Sequence, residues 1–374
     1  MQRTTRNRSC RPVATPVPPP RIPGAPARVR RARFTSGLLA MALLAGGWAI
    51  GPARAVAAAP VVPFRPYIDA TLWPTPDLAA FSSAGGGATL GFVVDGGGCR
   101  PSWGTYYDVT GPYLATDIAA ARAAGRDLIV SFGGAANTEL AVACPTAAAT
   151  QAAYQQVVDR YGIRHLDFDI EGAALADRTS VDRRNRAVAD LQGAGRADGR
   201  PVTVSYTLPV LPSGLTPDGV ALLRSAVAAG VDVAVVNLMT MDYGAGAAPS
   251  PAGRMGRYAI DALNATKSQL ASVWPARSEA ALWAGLGATP MIGQNDLAGE
   301  VFDTTDAAQL AEFARSVGLG RLAMWSAARD VPCAGGPSTV ANNLCSGVTA
   351  APGSFAALLS GTPLTPPSTA PTTT

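Results

Sequence analysis

The chain has 374 residues, 15% of them charged, and a formal net charge of +4. The positive excess comes entirely from residues 1–58, which hold ten arginines and no acid; beyond them 20 basic residues face 26 acidic ones, about −6. That balance removes the electrostatic footprint of a nucleic-acid binder. One histidine, His165, leaves no His or Cys cluster for a metal, and no cofactor is expected.

In chain order, Arg28, Arg30, Arg31 and Arg33 precede an apolar run over residues 37–50, too short to span a bilayer comfortably. Ala55-Val56-Ala57 then offers a small-residue cleavage site. Residues 1–57 therefore read as an export leader, which predicts a secreted, extracellular protein free of the membrane after cleavage. Cys10 leaves with it, and Cys99, Cys144, Cys333 and Cys345 remain, an even number that suits two disulfides. Three pairings are possible. Cys99–Cys144, tying two loops, and Cys333–Cys345, closing a short one, are favoured.

Strand-like apolar runs recur at 66–71, 89–95, 127–133, 165–171, 202–209, 233–241, 281–292 and 321–327. Helical patterns fall between them at 116–124, 151–161, 177–194, 217–229, 257–273 and 306–317. Eight strands alternating with helices in about 290 residues predict an α/β protein with a (β/α)₈ TIM barrel as its single catalytic domain, residues 58–350. A doubly wound sheet is the alternative, but Gly85-Gly86-Gly87 and Gly96-Gly97-Gly98 lack the spacing of a phosphate loop. Residues 351–374, rich in Pro and Thr towards the end, read as a tail or linker. A monomer is expected.

The fourth run, His-Leu-Asp-Phe-Asp-Ile-Glu-Gly over 165–172, alternates Asp167, Asp169 and Glu171 with Leu166, Phe168 and Ile170. A strand so patterned puts three carboxylates on one face. Crowding and burial raise the proton affinity of at least one, which suits proton transfer near neutral pH. A solvated edge strand is the bland alternative. His165 shares the inward parity of the acids and reads as a satisfied core histidine.

Active sites of such barrels lie at the C-terminal strand ends. There the chain carries Ser131-Phe-Gly-Gly, then Asn237-Leu-Met-Thr-Met-Asp-Tyr243, then Gln294-Asn295, then Met324-Trp325-Ser326. With the acid run, these landmarks resemble the chitinases of glycoside hydrolase family 18 over residues 64–331. Asp167, Asp169 and Glu171 match the last three acids of the family's D-x-x-D-x-D-x-E. Ser131, Gly133 and Gly134 match its Ser-x-Gly-Gly, and Met239 to Tyr243 its sixth-strand motif. Trp325 matches its eighth-strand tryptophan. Arg164 and His165 depart from the acid motif's Asp-Gly opening, and Met241 stands where a tyrosine is common.

The resemblance implies a secreted chitinase that cleaves β-1,4-linked N-acetylglucosamine with retention, through an oxazolinium formed by the substrate's own acetamido group. Its partners would be chitin or chito-oligosaccharides. Glu171 would be the proton donor, Asp169 would hold the acetamido N–H, and Asp167 would share a proton with Asp169. Tyr243 and Asp242 would hold the acetamido carbonyl over a floor made by Trp325. Gln294, Asn295, Met241 and Gly134 would line the same pocket, while Trp73, Trp103 and Tyr106 are candidates for stacking on further sugars. An endo-β-N-acetylglucosaminidase acting on N-glycans and a non-catalytic chitin-binding lectin are the alternatives; the lectin reading expects a lost proton donor, and Glu171 is present.

Overall fold

The computed structural model describes residues 61–78 and 86–362. The leader and cleavage site expected within residues 1–57, and residues 363–374 of the expected tail, lie outside the described residues. Eight strands form the framework: β1 Tyr67–Asp69, β2 Gly87–Asp95, β3 Asp127–Gly133, β4 His165–Asp169, β5 Thr203–Leu211, β6 Val233–Met239, β7 Leu286–Thr289 and β8 Arg321–Leu322. Each neighbouring pair from β1 to β8 runs parallel. The ring closes where Arg65 N–H donates to Leu322 O, Tyr67 N–H to Met324 O, and Leu322 N–H to Pro63 O. The chain is thus a (β/α)₈ barrel, with the helices outside it.

Local sequence explains the alternation. Helix Ala147–Tyr161 starts where the Thr146 hydroxyl accepts from Ala149 N–H and stops at Gly162, whose φ of 64° suits a residue without Cβ. Helix Pro217–Ala229 is framed alike by Thr216, an early proline and Gly230. Strand side chains facing outward pack under these helices: Phe132 stacks on Phe168 at 5.3 Å, and Tyr154 meets both edge-on. Inward residues form layers set by register. Ser131, Asp167 and Ser205 align in one, and Gly133, Asp169 and Thr207 in the next. The acid run is therefore the wall of a closed barrel and not an edge strand.

Several expectations change. Residues 281–292 hold the end of helix Glu279–Ala284 before β7, because an alternating Ala/Leu run carries no strand signal of its own. The folded domain continues past residue 350. Helix Ser354–Ser360 buries Phe355 and Leu359, and its first amides donate to Asp330. His165 is only partly covered; at the barrel's N-terminal mouth its Nδ1 lies 2.9 Å from Asp127, which Arg65 also holds. Trp103 sits on a hairpin, Pro101–Trp103 with Tyr107–Asp108, that extends β2; it is buried and its indole donates to Tyr161, so it is no sugar platform. Trp73 and Tyr106 are exposed. Both favoured disulfides are present, Cys99–Cys144 and Cys333–Cys345.

One charged pair is wholly inside. Arg184 Nη2 reaches Glu139 Oε2 at 2.7 Å, and Tyr154 and the Ala141 amide complete the carboxylate's partners. Removing one partner of such a pair strands the other charge. Arg184→Ala is expected to lower the unfolding free energy by about 3–5 kcal/mol, read by urea denaturation. A Glu139→Leu/Arg184→Met double variant should lose less.

Candidate active site

Asp167 is the deepest of the three acids and is fully buried. Tyr67 Oη and Ser131 Oγ each donate to its Oδ2 at 2.8 Å, Thr207 Oγ1 lies 3.0 Å from both oxygens, and Ser205 Oγ donates to Oδ1. Arg321 stands 3.9 Å away. With that many donors the cost of burying a carboxylate is offset locally. Asp167 spends its oxygens on them.

Asp169, one layer higher, has the opposite surroundings. It is buried, and its Oδ1 has no hydrogen-bond partner. A proton shared between Asp167 and Asp169, expected from the sequence, is thus not in place through that atom. Burial, then Glu171, then Asp167 hold the Asp169 carboxyl well above the usual range. Glu171 follows just beyond the strand, and burial, with Asp242 second, pushes it up to about 7. Asp242 is itself raised, first by burial and then by Asp296 and Glu300, against a 3.0 Å hydrogen bond donated by Leu297 N–H. These acids crowd one side of a cleft of about 220 Å³.

The other side is apolar. Phe92 stacks on Trp325 at 5.6 Å, and Tyr67 leans on both at 5.9 and 6.0 Å. Met239, Met241 and Met291 fill the remaining wall. Polar acids facing an aromatic floor can take a ring with an apolar face and a polar rim. A larger depression runs along Gln151, Gln155 and Asp159, but no buried acid lines it.

Of the expected site residues, Glu171, Asp169, Asp242, Met241 and Trp325 meet in the cleft, with Asp167 bracing it through Tyr67 and Thr207. Gly134 lines an adjoining recess with Asp169 and Glu171. Its φ is +84°, and a Cβ there would come within 2.8 Å of the Phe92 ring, so glycine is what lets the floor approach.

Three expectations fail. Tyr243 does not line the cleft; its ring packs on Tyr258 and its N–H donates to Glu300. The reason is alternation: Met241 and Tyr243 do not continue a strand, because β6 ends at Met239 and Asp242 turns into the left-handed region at φ 49°. Gln294 spends its amide on the carbonyls of Asn295 and Glu300, and Asn295 on those of Met291 and Gly293. Both are loop braces. Tyr67, Phe92, Thr207, Arg321 and Glu300 were not singled out. The last accepts from the Tyr243 and Gly244 amides at 2.9 and 2.7 Å and so fixes the turn that carries Asp242. Inward parity on β1 and β5 was the available signal for Tyr67 and Thr207.

No family model matches the sequence. The chain is 41% identical over 277 residues to a probable bifunctional chitinase/lysozyme of Escherichia coli strain K12, covering 72% of this chain and 31% of that protein. It is 39% identical over 277 residues to endochitinase 11 of Metarhizium anisopliae, covering 72% and 53%. It thus spans about a third and about half of the curated relatives it matches. Among solved structures, active domain 2 of the Pyrococcus furiosus thermostable chitinase, studied as catalytic-site mutants with chito-oligosaccharides, superposes with a TM-score of 0.70 at 29% identity, covering 81% of this chain and 95% of that one.

The raised Glu171 carboxyl sets a stability test. The native state holds its proton more tightly than the unfolded chain does, so the stabilisation is full below the ordinary glutamate range and is lost as pH rises through about 7. Relative to Glu171→Gln, the wild-type protein is expected to lose about 1–3 kcal/mol of unfolding free energy between pH 4 and pH 8. Paired denaturant titrations read the difference; a flat difference curve would contradict the assignment.

Proposed function

Taking the barrel as a catalytic domain of glycoside hydrolase family 18, we propose that this protein is a chitinase, cleaving β-1,4 links between N-acetylglucosamine residues. One observation carries the reading: a carboxyl held protonated to about pH 7, Glu171, stands beside a buried acid, Asp169, whose Oδ1 is unpartnered. A hydrolase for glycosides needs a proton for the leaving oxygen, which Glu171 supplies. The unpartnered Asp169 oxygen accepts the acetamido N–H of a sugar seated on Trp325. That contact turns the acetamido oxygen towards the anomeric carbon, where it displaces the leaving sugar and forms an oxazolinium. Asp169 then faces the positive charge that develops. Water, deprotonated by Glu171, opens the ring and returns the β configuration.

The rest of the site serves these two acids. Asp167 and its hydroxyl partners fix the strand beneath Asp169. Asp242 raises Glu171 and lies where it can hold the acetamido carbonyl when protonated. We also propose that the protein is exported and works outside the cell, on the strength of its basic and apolar N-terminal run and its two disulfides. Mass spectrometry of secreted material should give an N-terminus near Ala58 and no cysteine alkylated without prior reduction.

Glu171→Gln is expected to lower turnover on chito-oligosaccharides by roughly 10²–10⁴-fold while binding persists; a variant retaining a tenth of the wild-type rate would remove Glu171 from the role. Proton NMR of fresh product should show the β-anomer first, and a thiazoline analogue of the oxazolinium should inhibit strongly. Release of intact high-mannose chains from a glycoprotein, without cleavage of chitin oligomers, would move the assignment to an endo-β-N-acetylglucosaminidase.

A further inference from the structure

The segment after β8 carries a device that the catalytic acids do not explain. Cys333 and Cys345 close it into a loop. Arg329, fully buried, pins that loop to the barrel: Nη1 donates to Asn342 O, and Nη2 donates to Ile292 O at 2.9 Å and Gln294 O at 2.6 Å. Ser346 N–H donates to Val331 O, and Gln294 N–H to Ser346 O. Asn342 bridges Cys345 across the turn, and its Oδ1 accepts from Leu344 N–H at 2.7 Å. The polar residue left at the tip, beside Leu344, is Asn343. It lines the catalytic cleft with Trp325, Met291 and Asp296.

Two adjacent asparagines on this turn behave differently. Asn342 closes the turn with its side chain. Asn343 is exposed, and its carboxamide makes no hydrogen bond to any described residue. The turn therefore does not need it. A carboxamide offers two N–H donors and an acceptor in one plane, which matches the paired hydroxyl and acetamido groups along a pyranose rim. Having no internal partner, it gives up none on binding. The surrounding investment is large: a buried guanidinium whose hydrogen bonds go to carbonyls, pushed down to about 10 by burial against the opposing pull of Asp296 and Asp242, and a covalent crosslink, both fixing this loop.

We propose that Asn343 is a sugar-binding residue of the cleft, donating to and accepting from the N-acetylglucosamine residue at the Trp325 wall, and that the Cys333–Cys345 bridge holds it there. The assignment rests on the chitinase reading above.

The test is steady-state hydrolysis of chito-oligosaccharides of increasing length by the full chain and by Asn343→Ala. KM should rise about 3–10-fold, the worth of one to two hydrogen bonds, with kcat within about twofold. Asn343→Gln should recover part of the loss. A Cys333→Ser/Cys345→Ser variant should show the same rise in KM, and adding Asn343→Ala to it should add little, because both changes remove one interaction. If the wild type cleaves the oligomers and Asn343→Ala matches it in KM, the inference is overturned and the chitinase reading stands. A loss confined to kcat would overturn it too. A Ser/Ser variant with wild-type KM would overturn the role given to the bridge. A wild type that neither cleaves nor binds the oligomers would overturn both readings.

Discussion

The structure turns on how one buried carboxylate is satisfied. Asp167 draws hydroxyls from β1 (Tyr67), β3 (Ser131) and β5 (Ser205 and Thr207), and faces Arg321 of β8. Four strands thus converge on one side chain carried by a fifth, β4. Breaking any one contact leaves charge or hydroxyl unsatisfied where no bulk water can compensate. The arrangement therefore constrains register and closure together. It also makes the layer above it possible. Because Asp167 uses up the nearby donors, Asp169 has none for its Oδ1, and that shortage leaves a buried acceptor open at the floor of the cleft.

The same division of labour recurs at the rim. Glu300 accepts two backbone amides and holds the Asp242 turn. Arg329 donates to three carbonyls and holds the loop after β8. In each case a buried charge is spent on backbone groups and fixes a turn that brings a polar side chain to the cleft, Asp242 in one and Asn343 in the other. Helices and strands place the acids of β4 without such help, since alternation alone aims them inward.

That contrast explains what the sequence made legible. The barrel and the alternation of the acid run follow from periodicity, whereas Trp325, and Glu171 as the last acid of its motif, lie past the ends of β8 and β4 and were matched through the family resemblance. Side-chain directions beyond strand ends carry no such periodic signal. Tyr243 was assigned to the site and lies outside it, because β6 stops at Met239 and the left-handed turn at Asp242 resets the direction of everything after it. Gln294 and Asn295 looked like pocket amides but feed loop carbonyls. Tyr67 was hidden for a different reason: its importance comes from Asp167, 100 residues away in sequence. The helix at Ser354–Ser360 was lost inside a compositional tail, though Asp330 caps it from a distance that no local pattern reveals.

The crowd of acids in the cleft bears on which polymers can enter at all. Asp169, Glu171, Asp242 and Asp296 line it, and no basic side chain does. A neutral polysaccharide meets no electrostatic barrier there. Once pH rises above about 7 and Glu171 loses its proton, a glycan carrying uronic or lactyl acids would bring each charge into a region occupied by its own sign. At about 4 Å and an effective dielectric of 20, one such pair costs about 4 kcal/mol, enough to weaken binding nearly a thousandfold. Conversely, a glycan with some free amines would gain from the same field. The burial and the neighbouring acid that raise Glu171 thus also make the cleft's tolerance of charged polymers depend on pH.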